Sequence, residues 1–194
     1  MSVATTTLRA TVFPQSTVMT KAGFVIAGVA FLSLLAQIAI PVPGSPVPVT
    51  GQTLGVLLLA TSYGATLGTT TFLFYLLVGA LGVPVFANGG SGLDRIVGAT
   101  GGYLVGMLLT SALLGYLGGR NWDQKFKTAL PAMLIGNVLT FALGLLWLNQ
   151  FTGKDWAWTI SAGFTPFIIG EILKIAIAGT SLPIIWQFVQ RKIS

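Results

Sequence analysis

The sequence predicts an all-α membrane protein, a single substrate-binding domain of six transmembrane helices over residues 1–194. Three observations predict it. Only 7% of the residues are charged, whereas soluble domains carry about 25%. No charged residue stands between Lys21 and Asp94, a run too long for a soluble fold to cover its surface. The mean hydropathy is +0.86, and the apolar stretches have lengths suited to crossing a lipid bilayer.

Composition also removes whole classes of chemistry. The chain has no cysteine and no histidine, which excludes disulfides, thiolate nucleophiles, Cys/His zinc sites and His acid–base catalysis. Neither a metal site, a cofactor nor an enzymatic activity is expected. The net charge of +6 reflects where the few Lys and Arg residues sit around a membrane. It is not a nucleic-acid-binding surface.

Each element follows in order. Residues 1–20 form a polar, Thr-rich tail with no clear signal-peptide cleavage pattern, so the first apolar segment is expected to stay as a helix. Lipid satisfies no backbone polar group, so a span needs about 20 mostly apolar residues. Span 1 is placed at 22–40. It carries Gly23, Ala27 and Ala30 on one side, small residues that permit close contact with an internal helix or another subunit. The loop "PVPGSPVPVT" holds Pro41, Pro43, Pro46 and Pro48 and should be stiff and extended. Span 2 at 51–62 is short for a full crossing, and span 3 follows at 65–82. The Gly-rich loop "VPVFANGGSGLDRIVGAT" lets backbone fold closely onto itself or a ligand. Spans 4 and 5, at 101–118 and 129–150, flank the polar, basic segment "GGRNWDQKFKTA". The loop "FTGKDWAWTISAG" leads to span 6 at 164–189. No inverted repeat of the kind found in many secondary transporters is evident.

Charge sets the orientation. With both termini cytoplasmic, the inner side holds Arg9, Lys21, Arg120, Lys125, Lys127, Arg191 and Lys192, and the outer side only Arg95 and Lys154. That bias is a positive-inside signal and requires an even number of spans. The three outer loops then sit over the start of span 6 as structured cover for a ligand pocket.

Within span 6, "FIIGEILKIAIAG" carries Glu171 and Lys174. Each charge costs about 2.5–3.5 kcal/mol near a bilayer centre, and such residues mark functional sites. Their i, i+3 spacing puts them on one helix face. They read either as a polar pocket for a ligand with donors and acceptors, or as an ion pair fastening helices. Gln52 and Thr53 open span 2, where a buried amide adds a donor and an acceptor. Asn88 either faces a ligand or supplies turn chemistry. Arg95, next to Asp94, is a candidate partner for a ligand carboxylate. Tyr103 is either an interfacial residue or a pocket wall. Trp156 and Trp158 are either interfacial anchors or stacking platforms.

Taken in order, "PVPVTGQTLGVLLLA", "GVPVFANGGSG", "GATGGYLVGM" and "PFIIGEILKI" resemble the motifs of the BioY family. Those proteins are the biotin-specific S components of energy-coupling-factor (ECF) vitamin transporters. The resemblance implies six helices, an outward site for biotin and residence in a bacterial plasma membrane. It also implies partners: a transmembrane coupling protein, two ATP-binding cassette ATPases and, in some members, action without them, with a homo-oligomer as a further arrangement. On this reading Glu171 accepts from the ureido N–H groups and Lys174 donates to the ureido oxygen. Phe86, Tyr103 and a loop tryptophan wall the thiophane. Arg95, Asn88 or backbone N–H groups hold the carboxylate, and the face of Gly23, Ala27 and Ala30 meets the coupling protein. Three departures stand out: Glu171 where the motif more often has Asp, Ala99 in place of a proline, and the charges at Asp94 and Arg95. An S component for another vitamin such as thiamine, and a proton-coupled transporter using Glu171, are the alternative expectations.

Overall fold

The computed structural model describes residues 6–15 and 17–193. The chain forms α1 (Leu8–Val12), α2 (Val18–Gln37), a two-stranded ribbon of β1 (Ala39–Ile40) and β2 (Val49–Thr50), α3 (Gln52–Tyr63), α4 (Ala65–Ala80), α5 (Leu93–Val97), α6 (Gly101–Gly119), α7 (Phe126–Thr152), α8 (Trp156–Gly163) and α9 (Ile168–Ile193). Among the described residues, α2, α6, α7 and the apolar stretch Trp156–Lys192, which joins α8 to nearly all of α9, are long and apolar enough to cross a membrane. At 16 residues α4 is shorter, and α3 has 12. Four of the six predicted spans thus coincide with stretches long enough to cross, the other two with the shorter α3 and α4, and the chain is a multi-pass membrane protein.

Local chemistry explains where the boundaries moved. Helix α2 starts at Val18 rather than 22, because the Thr17 hydroxyl caps it by accepting from the Thr20 N–H at 3.2 Å. It stops at Gln37, where the returning chain closes on it: the Gly51 N–H donates to the carbonyls of Leu35 (3.1 Å) and Ile38 (2.9 Å). The Pro-rich loop is therefore a closed ribbon, with Ala39 opposite Thr50 and Ile40 opposite Val49. The loop with two tryptophans is largely helix α8. Asp155 caps it, accepting from the Trp158 N–H at 2.7 Å. The Gly-rich loop likewise contains α5, and the polar tail contains α1, whose Leu8 packs into the core.

The two short helices form one tight hairpin. Gly64 turns the chain between α3 and α4 at φ +86°, a conformation that L side chains rarely adopt. Helix α6 packs against α7, α3 and α4, while α9 lies against α7 and α3. The α6–α7 contact includes polar groups: the Thr110 hydroxyl donates to the Gly136 carbonyl at 2.8 Å and lies 2.9 Å from the Thr140 hydroxyl. Interhelical hydrogen bonds of this kind bind helices that gain little from apolar burial in lipid.

Two apolar clusters fill the interior. One gathers Phe72, Tyr75, Phe86, Tyr103, Phe141 and Phe167. The other gathers Leu57, Leu114, Met133, Ala178 and Leu182, with Trp122 packed against it. Beside Trp122, in the segment read from the sequence as polar and basic, Asp123 is fully buried. Its Oδ2 accepts from Trp186 Nε1 at 2.6 Å, while Oδ1 is buried without a hydrogen bond among the described residues. Burial pushes this carboxyl up to about 6, partly opposed by the Trp186 bond. A raised carboxyl value means that its stabilisation is complete below the ordinary 3.8 and is lost as pH rises through about 6. The thermal unfolding midpoint of detergent-purified protein should therefore fall between about pH 4 and about pH 7. Asp123→Asn, which keeps an acceptor for Trp186, should flatten that slope. An unchanged slope in the variant would assign it to other groups.

Candidate ligand-binding site

Residues Thr165–Phe167 form a single 3₁₀ turn with Pro166 in it, and proline presets the φ that starts a helix. This break after α8 puts Glu171 in the first turn of α9, nearer the helix start than a continuous span 6 implies. A carboxylate there is favoured by the helix dipole.

Glu171 collects donors from three helices. Its Oε1 accepts from Lys174 Nζ at 2.6 Å and from the Thr53 hydroxyl at 2.9 Å. Its Oε2 accepts from Asn137 Nδ2 at 2.5 Å. Lys174 Nζ also donates to the Thr50 carbonyl at 2.5 Å and to the Thr53 hydroxyl at 3.0 Å. The ammonium has three N–H groups, and all three point at protein acceptors. A buried charge is tolerated only when paired and hydrogen-bonded, and this pair is both.

Glu171 also lines a cavity of about 60 Å³, several times the 10–15 Å³ that one water needs. Its walls are mainly apolar: Val47, Phe86, Leu104, Met107, Phe141 and Phe167 with the ring of Tyr103. Its polar groups come from Thr50, Gln52, Thr53, Thr100 and Arg95. An apolar chamber with a few convergent polar groups is the usual form of a small-molecule site.

Supporting contacts fix these walls. Gln52 is buried; its Nε2 donates to the Tyr75 hydroxyl at 2.7 Å, and the Thr50 hydroxyl donates to its Oε1 at 3.2 Å. The Tyr75 hydroxyl passes the chain on to the Val85 carbonyl at 3.0 Å. The Tyr103 hydroxyl donates to the Gly163 carbonyl at 2.8 Å, so α8 holds it and the ring is what faces the cavity. That ring stacks on Phe167 with centroids 6.4 Å apart and meets Phe141 edge-on at 5.6 Å. Gly144 permits this: a Cβ there would lie 2.3 Å from the Tyr103 ring.

The structure brings Glu171, Gln52, Phe86, Arg95 and Tyr103 together at the cavity. Lys174 stands behind Glu171 rather than on the cavity wall. Asn88 is exposed at φ +57°, in the turn that follows Phe86; its neighbour Ala87 lines the cavity. Arg95 lies against Gly90 and makes no ion pair with Asp94 among the described residues. Trp156 is half exposed at the start of α8 and away from the cavity, while Trp158 packs against the aromatic cluster. Gly23, Ala27 and Ala30 are exposed on α2, opposite Gly28, which faces Thr71 of α4.

Sequence reasoning missed Asn137, Phe141, Phe167 and Gln37. An amide inside an otherwise apolar span was the available signal for Asn137. The two phenylalanines carry no such signal among many lipid-facing aromatics. Gln37 bonds the Phe86 carbonyl through Nε2 at 3.1 Å and the Gly89 N–H through Oε1 at 2.9 Å, pairings that only the fold creates.

A bundle of apolar helices enclosing an apolar chamber with a charged floor defines a helical membrane protein that binds a small ligand. The sequence model of the BioY family matches residues 6–191, and the chain belongs to that family. The biotin transporter BioY2 of Lactococcus lactis subsp. cremoris is 39% identical over 163 residues, covering 82% of this chain and 86% of its own length. The biotin transporter BioY of Thermotoga maritima is 37% identical over 139 residues, covering 72% and 80%. The crystal structure of an S-component for biotin from an ECF-type ABC transporter superposes with a TM-score of 0.78 at 22% identity, covering 89% of this chain and 95% of that one. This last likeness establishes the shared fold.

Asn137→Leu fills similar space but leaves Glu171 Oε2 without its protein donor. The expected cost is about 1–3 kcal/mol, read as a lowered unfolding midpoint of the ligand-free protein. An unshifted midpoint would mean that this bond contributes nothing to the fold.

Proposed function

We propose that this protein is the biotin-binding S component of an ECF-type transporter and takes up biotin across a bacterial plasma membrane. The observation that carries the reading is one carboxylate, Glu171, on the floor of a mainly apolar, aromatic-walled chamber. Biotin has the matching chemistry: a ureido ring with two N–H donors, an apolar thiophane and a carboxylate tail. The names of the relatives support the same ligand.

In this reading the ureido N–H groups donate to Glu171, near the Gln52 amide. The thiophane packs against Tyr103, Phe141 and Phe167. The carboxylate reaches Arg95, whose guanidinium has no hydrogen bond or ion pair among the described residues. Lys174, with its N–H groups engaged by Glu171, Thr53 and Thr50, acts through Glu171: it neutralises the carboxylate and fixes its direction. Helices α3 and α4 complete six crossings, and the distribution of basic residues sets both termini inside. The exposed face of Gly23, Ala27 and Ala30 is the contact for a transmembrane coupling protein, which joins two ATP-binding cassette ATPases.

Titration of the detergent-purified protein with biotin, thiamine and riboflavin, followed by tryptophan fluorescence or calorimetry, tests the ligand. Saturable binding of biotin alone is expected. Lys174→Ala should weaken it at least tenfold, about 1.4 kcal/mol. No biotin binding by well-folded protein rejects the reading, and unchanged affinity in the variant returns the pair to a purely structural role. Ala27→Trp should leave biotin affinity intact and reduce co-purification with the coupling protein; intact assembly and uptake would remove α2 from that interface.

A further inference from the structure

A second hollow lies far from the ligand chamber. Gln52 borders the chamber and Tyr63 borders this hollow. They stand at opposite ends of the 12-residue α3, about 17 Å apart along its axis. The hollow is an open trough of about 790 Å³ between α2 and α4. Val25, Ile26 and Phe74 form its apolar wall, and Lys21 and Arg9 border it. A smaller cleft shares Thr7, Gly64, Ala65 and Thr66 with it and continues the hollow to Arg120, whose guanidinium rests 4.8 Å over the Tyr116 ring.

Charge and exposure decide what fits. Among the described residues, no Asp or Glu borders either part of the hollow. Asp123 belongs to this half of the molecule but is fully buried. The Lys21 ammonium makes no hydrogen bond or ion pair among the described residues. Ile26 is 70% exposed and Phe74 47%, so the apolar wall is open on its outer side, as a surface that packs against acyl chains must be. A soluble anion leaves that wall uncovered. A zwitterionic lipid brings its own cation against Lys21 and Arg9.

We propose that this trough is a binding site for one anionic phospholipid. The phosphodiester sits against Lys21, at the rim that Arg9 also borders, and an acyl chain lies along Val25, Ile26 and Phe74. Basic pockets between transmembrane helices have this headgroup chemistry. The site shares no residue with the chamber around Glu171, so it is independent of which ligand that chamber takes.

Native mass spectrometry of the full chain in detergent tests it, with phosphatidylglycerol and phosphatidylcholine of identical acyl chains as probes. The wild type should retain one phosphatidylglycerol in preference to phosphatidylcholine. Lys21→Ala should weaken that binding about fivefold, Lys21→Glu should weaken it more, and Lys21→Arg should restore it. Lys127→Glu, an exposed basic residue outside the trough, should leave it unchanged. Circular dichroism establishes that each variant is folded. Equal retention of the two lipids by the wild type overturns the proposal. So does an equal loss in Lys21→Glu and Lys127→Glu, because the attraction would then be that of the whole basic rim.

Discussion

The Glu171 carboxylate is the constraint on which the rest of the site depends. One oxygen takes Lys174 and Thr53, and the other takes Asn137. Those donors come from α9, α3 and α7, so a single group fixes the relative positions of three helices. Truncating one partner of such a buried pair is expensive, because the other charge stays buried without compensation. The same expense explains why the pair sits at the cavity: a charge that must be desolvated anyway is placed where it can also meet a polar ligand.

Around that centre, aromatic side chains shape the chamber and backbone carbonyls hold them in place. Tyr103 is held by Gly163, Tyr75 by Val85, and Gln52 by Tyr75. The hydroxyls therefore satisfy protein acceptors while the rings supply area. This division leaves Glu171, the guanidinium of Arg95, the Gln52 amide and a few Thr groups as the polar features among the described residues that line the cavity. Two of the three structured connections, the ribbon β1–β2 and the segment around Phe86, contribute Val47, Pro48 and Thr50 on one side and Phe86 and Ala87 on the other. The third, α8, contributes through its grip on Tyr103.

Much of this was legible in the sequence, and the reasons are physical. Glu171 and Lys174 stood out because charge is rare in an apolar span. Tyr103 and Gln52 stood out because they flank loops rich in Pro or Gly, and Phe86 through the resemblance to the BioY motifs. The long helices could be placed from hydropathy alone. The legibility failed where tertiary packing decides. Asp123 sits in a segment that reads as polar and basic, yet Trp186, far along the chain, draws it into the interior. The helix α8 hid inside a loop because its start depends on one Asp155 cap. Lys174 reads either as a ligand donor or as half of an ion pair, and its contact with the Thr50 carbonyl, which the ribbon brings in, could not be read from its own helix.

Gln37 gives α2 a second role. Its amide grips the segment around Phe86 at two points, one through nitrogen and one through oxygen. Phe86 in turn meets the Tyr75 ring edge-on at 5.4 Å. One side of the ligand chamber is thus bolted to the last turn of the helix that exposes Gly23, Ala27 and Ala30. Mechanically the two are a single lever: α2 cannot tilt or slide without pulling on the chamber wall, and the wall cannot swing open without either dragging α2 or breaking both bonds to Gln37.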